Sequence, residues 1–181
     1  MTPTQELTNE HRVIERMLAV VWKAADGLER GEMVDKKIFE DAVDFFKNFA
    51  DKCHHGKEEK LLFVRMKQRG MSDKTGPLAV MLAEHDEGRA HVRAIGENAG
   101  KVLSSKTQKD IVEHSRAYVQ LLSAHIEKED NILYPMANRI LTNADQEDLT
   151  KGFEEIEEKV MGPGVHEKYH KIIEEWERKV G

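Results

Sequence analysis

Apolar residues recur every three to four positions along four long stretches of this chain, and each of the four seams carries a histidine. In the first stretch the seam is Leu7, His11, Ile14, Leu18, Val21, Ala25 and Leu28. In the second it is Ile38, Ala42, Phe45, Phe49, His55, Phe63 and Met66. The third reads Leu78, Met81, His85, Gly88, Val92, Ile95 and Val102, and the fourth Ile111, His114, Tyr118, Leu121, His125, Ile132 and Met136. This period predicts amphipathic helices that each bury one face. Terminators agree: Thr8 as an N-cap, Gly31 after the first stretch and Gly70 after the second. Pro77 opens the third, SSKT ends it, and Pro135 is a kink in the fourth. A fifth, acidic helix, capped by Asp145 or an adjacent residue, runs to about Met161. Gly162-Pro163-Gly164 breaks the chain before a last helix from His166 to Val180.

Short connections between long helices predict an all-α, up-down-up-down four-helix bundle over about residues 4–143, with one or two additional short C-terminal helices over 145–181. The whole, 1–181, is read as a single domain. Charged residues make up 34% and aromatics 6%, which suits long helices rather than sheets. The net charge of −6 and the absence of a long Lys/Arg run argue against nucleic acid as a partner. No apolar stretch could span a bilayer, the first residues lack a secretory signal, and the lone Cys53 fits a reducing compartment, so a cytoplasmic location is expected. No repeat of fixed period is visible.

The histidines are level as well as inward. His11 lies 20 residues before Gly31 and His55 lies 20 after Asp35; His85 lies 19 before Ser104 and His125 18 after Thr107. At about 1.5 Å per residue, each antiparallel pair meets at one height; the match across the middle loop is looser. Four buried imidazoles without partners would cost several kcal/mol, whereas a metal turns that cost into binding energy. Three of the four have a glutamate at i+4: Glu15, Glu59 and Glu129. An i,i+4 pair shares a helix face. Counting by sevens from Phe45 puts Glu59 inward with His55, and His54 and Glu58 further out as flanking groups. Glu129 follows His125 inward, with Asp130 rotated away. Glu15 either ligates or pairs with Arg12 or Arg16. His166 and His170 also have metal spacing, or they simply close one end of the bundle; Cys53 is a small core residue or a redox-active thiol.

The segments NEHRVIE, HHGKEEKLLF, AEHDEGR and HIEKEDNILYP resemble the hemerythrin-like (HHE cation-binding) family over Asn9 to Pro135. The resemblance implies a four-helix bundle with two non-haem iron ions, oxo- or hydroxo-bridged when oxidised. His11, His55, His85 and His125 would be terminal ligands, and Glu59 and Glu129 bridging ones. Oxygen carriers of the family use HxxxH on the third helix, but here Arg89 stands four residues after His85. A fifth histidine is then absent or comes from elsewhere, such as His91 or His166. The expected function is binding or reduction of O2, NO or peroxide at the di-iron centre, in oxidative or nitrosative stress. The alternatives are iron storage or sensing, Fe–S cluster repair, or a structural zinc or manganese bundle. Oligomeric state is left open.

Overall fold

The computed structural model describes residues 1–101 and 104–181, so the expected seam residue Val102 lies outside the described residues. Six helices account for nearly all of it, with no strand among the described residues. Helix α1 is Pro3–Glu29. Helix α2 is continuous over 37–68, α3 is Pro77–Ala99, and α4 is continuous over 105–140. Helices α5, Asn143–Val160, and α6, Val165–Val180, form the C-terminal extension. No described helix is long and apolar enough to cross a membrane.

Three helix starts carry reciprocal caps, each satisfying amide groups left without helical partners. Thr2 with Gln5 opens α1, Ser104 with Thr107 opens α4, and Thr142 with Asp145 opens α5. The first helix is therefore capped six residues before Thr8, whose hydroxyl instead donates to Asp130 on α4 (2.9 Å). Asp145 is the third residue inside α5 rather than its cap; there it also accepts from Arg65 and Arg69, tying α5 to α2.

Helices α2 and α4 are not uniform. In α2 the segments Phe46–His55 and Glu58–Leu62 are wide π turns, and so is Glu129–Leu133 in α4. Bonding from i to i+5 advances the chain by less than the about 100° per residue of an α-helix. Buried positions in α2 accordingly recur every four residues, through Phe46, Ala50, His54, Glu58 and Leu62. The wide turn in α4 ends just before Pro135, which has no N–H to donate. It carries Ile132 out to 52% exposure and buries Leu133 and Tyr134 instead, reversing the seam that the sequence predicted there.

Two apolar clusters fill the interior. One contains Leu18, Phe45, Phe46, Phe49, Ile95, Ile111 and Tyr118. The other contains Leu7, Leu62, Phe63, Leu78, Leu133 and Phe153. Along each of the four long helices the histidines fall between residues of the first cluster and residues of the second. Phe153 of α5 is fully buried in the second cluster. Phe153→Ala should cost about 3–5 kcal/mol, read as a lower denaturation midpoint at unchanged slope if α5 is an integral part of the domain.

Candidate metal centre

Between the two apolar layers lie two adjoining groups of inward donors. His55, Glu58, His85 and His125 form one, and His11, His54 and Glu129 the other. All seven are buried. The rings face one another in pairs: His11 Nε2 is 3.1 Å from His54 Nε2, and His85 Nε2 is 3.1 Å from His125 Nε2.

What orients the rings lies behind them. His11 Nδ1–H donates to Asp130 (2.8 Å), His54 Nδ1–H to Glu10 (2.8 Å), His85 Nδ1–H to Glu59 (2.7 Å) and His125 Nδ1–H to Glu84 (2.8 Å). A carboxylate can only accept, so each Nδ1 carries the proton and each Nε2 turns inward, as a metal-binding imidazole requires. The carboxylates are held in turn by cations. Arg12 pairs with Asp130, Arg89 with Glu59, Lys57 with Glu10 and Lys128 with Glu84.

This set occurs twice in the chain. Glu10-His11 on α1 corresponds to Glu84-His85 on α3. His54, Lys57, Glu58, Glu59 and Phe63 on α2 correspond to His125, Lys128, Glu129, Asp130 and Tyr134 on α4. Phe63 stacks near His85 as Tyr134 stacks on His11. No repeat shows by eye because the spacings before each set differ and few residues recur. Two positions break the likeness: His55 stands where the other half has Ile126, and Tyr134 where it has Phe63.

Glu58 and Glu129 lie between the pairs. Glu129 Oε2 is 3.2 Å from His11 Nε2 and its Oε1 3.2 Å from His125 Nε2, so its two oxygens reach both groups. Glu58 Oε2 lies 3.4 Å from His85 Nε2 and 3.8 Å from His54 Nε2, while Oε1 accepts the Tyr134 hydroxyl (2.7 Å). Neither Glu129 oxygen nor Glu58 Oε2 has a hydrogen-bond partner, and His55 Nδ1 lacks one too. Buried carboxylate oxygens left in this state are costly. Facing Nε2 lone pairs and orphaned oxygens together are the donor set of a cation. The residues fit a metal.

The metal-free electrostatics show the same demand. Burial opposes charge on His11, but Asp130 and Glu129 outweigh it and push the ring up to about 9. Burial likewise opposes charge on His85, yet Glu58 and Glu59 push it up to about 10. Burial favours the acid form of Glu58, but His54 and His85 hold the carboxyl well below its usual range. His55 goes the other way: burial first, then the charge of His85, keep its ring neutral. Burial, with Glu129 and Glu58, keeps the Tyr134 phenol protonated.

The expected ligands divide. His11, His55, His85, His125 and Glu129 all come together in the centre. Glu59 does not join them: its side chain is 26% exposed against 0% for Glu58, and it holds His85 from behind. His54, expected to flank the site, sits inside it. The heptad count from Phe45 to Glu59 ran through a π segment, where seven residues no longer make two turns, so the doublets are rotated. Glu15 lies at the surface against Arg12. His91 pairs with His114, Nδ1 to Nδ1 at 3.0 Å, away from the centre. His166 faces Glu157 (2.9 Å), and neither it nor His170 belongs to a three-residue donor group among the described residues. Cys53 is buried, and burial pushes its thiol up to about 12, which leaves it an unreactive core residue. The nearby acidic group of Glu10 and Glu157 already encloses a cation, the fully buried ammonium of Lys57.

The family of the hemerythrin HHE cation-binding domain matches residues 2–137. The chain belongs to this family. Among its relatives, the uncharacterized protein Rv1995 of Mycobacterium tuberculosis is 20% identical over 165 residues, which is 90% of this chain and 64% of that protein. The iron-sulfur cluster repair protein YtfE of Escherichia coli O157:H7 is 34% identical over 88 residues, 46% of this chain and 40% of that protein. The chain thus spans less than two thirds of the length of either relative. The match with the HHE domain covers all seven inward donors and the four carboxylates behind the rings.

The rotated doublet gives a direct test. Glu58→Ala should abolish or halve metal uptake, since it removes an inward carboxylate. Glu59→Ala should weaken affinity by about 10–100-fold, the usual effect of losing a carboxylate behind a ligating imidazole. Metal analysis after dialysis reads both, and equal loss would contradict the observed rotation of α2.

Proposed function

We propose that this domain holds two non-haem irons side by side and uses them to bind or reduce a small oxidant or diatomic ligand such as O2, NO or peroxide. The observation that carries this reading is Glu129, whose two unpartnered oxygens each lie near an imidazole of a different donor group. Glu58 supports it from the opposite side. In this reading His11 and His54 hold one iron, His55, His85 and His125 hold the other, and Glu58 and Glu129 join them. The fifth nitrogen then comes from α2, through His55, rather than from a second histidine on α3. The level rings, with His55 stacked on His85 at 3.8 Å, suit an up-down-up-down order of the first four helices.

When bound, the iron pair would supply two reducing equivalents and a coordination position for the incoming ligand. The chain's own groups do the rest. Asp130, Glu10, Glu59 and Glu84 fix each imidazole with Nε2 inward. The apolar layers above and below exclude water and lower the local dielectric. The Tyr134 hydroxyl donates to Glu58 Oε1 (2.7 Å) and lies 3.3 Å from His11 Nε2, so it fixes that carboxylate and keeps a protic group beside the His11 ring.

A second reading rests on the likeness to YtfE: release of iron for the repair of iron-sulfur clusters, or iron storage and sensing, without turnover. A single cysteine allows no internal disulfide, which suits a reducing compartment such as the cytoplasm. Iron analysis and an optical spectrum of the aerobically purified protein test the principal reading. Two irons per chain with near-ultraviolet and visible absorption are expected; a firm count of one, or a colourless zinc protein, would refute it. Consumption of peroxide over many turnovers separates catalysis from stoichiometric release. Removal of a tightly held metal should also lower the melting temperature by roughly 10 °C, because binding at about a thousandfold excess over Kd contributes near 4 kcal/mol.

A further inference from the structure

A groove of about 210 Å³ runs between α2 and α3 and ends on His55. Its floor is apolar, formed by Phe46, Val92 and Tyr118, and its rim is cationic, with Lys47, Arg89 and Arg93 against the single carboxylate of Asp51. Arg89 is neutralised by Asp51, Glu59 and Asp86. Lys47 and Arg93 are exposed and have no ion-pair partner among the described residues. Two uncompensated cations on one small groove are notable in a chain of net charge −6.

His55 is what makes the groove more than a surface feature. It is 5% exposed, its Nδ1 makes no hydrogen bond although the Asp51 carboxylate lies 3.5 Å away, and the same ring belongs to the inward donor group. The groove is open there because residue 88 is glycine: a Cβ would lie 3.2 Å from Tyr118 Cε2, forcing the aromatic wall to shift. Another recess, beside the C-terminal extension, has the opposite sign. Glu6, Glu10, Glu154 and Glu157 line it, with Glu10 behind His54. An anion is repelled at that face and drawn to the groove.

We infer that the α2–α3 groove is a docking site and entrance for small monovalent anions of two or three heavy atoms, the size class of azide, nitrite or hydroperoxide. The volume suits such an ion with part of its hydration, a water occupying about 30 Å³ in the liquid. Lys47 and Arg93 attract it, the apolar floor strips solvent from it, and His55 Nδ1 is the hydrogen-bonding atom at the inner end. Onward passage to a metal rests on the function proposed above; docking in the groove does not.

Azide is the probe. The metal-free protein is titrated with sodium azide at constant ionic strength and followed by nuclear magnetic resonance. Saturable shifts are expected at the Gly88, Arg89 and Val92 amides and the His55 ring, and none at Glu154 or Glu157. Lys47→Ala with Arg93→Ala, both at exposed positions, should weaken this binding by about tenfold, with the salt dependence of the wild type largely gone. Gly88→Val should narrow the groove and abolish the shifts; if that variant fails to fold, the double variant decides alone. In metal-loaded protein the same double variant should slow azide association by a similar factor at unchanged metal content. Absent or unsaturable shifts in the groove, or affinity unchanged in the double variant, would overturn the inference. Protein that never loads metal but still binds azide in the groove would refute the proposed function and leave this site standing.

Discussion

Burying two carboxylates among five imidazoles is the constraint around which this protein is built. Glu58 and Glu129 are entirely removed from water, and apart from Glu58 Oε1, which accepts the Tyr134 hydroxyl, their oxygens face only imidazole nitrogens. Such an arrangement survives only if positive charge is supplied between the rings. In the metal-free protein protons on His11 and His85 provide it, which is why those rings are driven far above an ordinary histidine. A metal pair would provide it more completely. The outer carboxylates and the Arg and Lys groups behind them extend the alternation of charge from the centre to the surface, so that no buried charge faces another of its own sign without compensation.

The wide turns belong to the same constraint. A regular α-helix cannot bring His54, His55 and Glu58 inward while also burying Phe46, Ala50 and Leu62, because positions at spacing four drift round the helix. Opening the turns to i→i+5 bonding keeps a four-residue period in phase with the bundle axis. The wide turn of α4, beginning at Glu129, does the same there, where Pro135 has removed an amide that a tighter turn would have used. The segments Glu58–Leu62 and Glu129–Leu133 each begin at an inward glutamate, so irregular backbone is placed where it aims these two carboxylates.

The duplicated set also shows where function departs from symmetry. Each half supplies two histidines, an inward glutamate and two outer carboxylates. His55 then adds a nitrogen to one side, with a groove leading to it, and Tyr134 adds a hydroxyl to the other. Lys57 is sealed beneath Glu157 of the C-terminal extension, whereas its counterpart Lys128 stays partly exposed. The extension thus covers one face of the centre and leaves the groove on another face open.

Much of this was legible in the residues alone. The 3–4 period of apolar positions, the glycine and proline punctuation and the four inward histidines imply a helical bundle with polar chemistry inside it, because periodicity and burial follow directly from residue type. That His54 joins His55 in the centre, and that Glu58 rather than Glu59 turns inward, was not legible. It depends on the phase of α2 after a long π segment, and a doublet of identical residues gives local propensity nothing to distinguish. The exposure of Ile132 and the burial of Tyr134 turned on the same phase change in α4. The partners of the Nδ1 atoms also emerged only in three dimensions, since each links a histidine to a carboxylate on a different helix. Sequence spacing records which face a residue takes on a regular helix; the packed bundle determined where the helices cease to be regular.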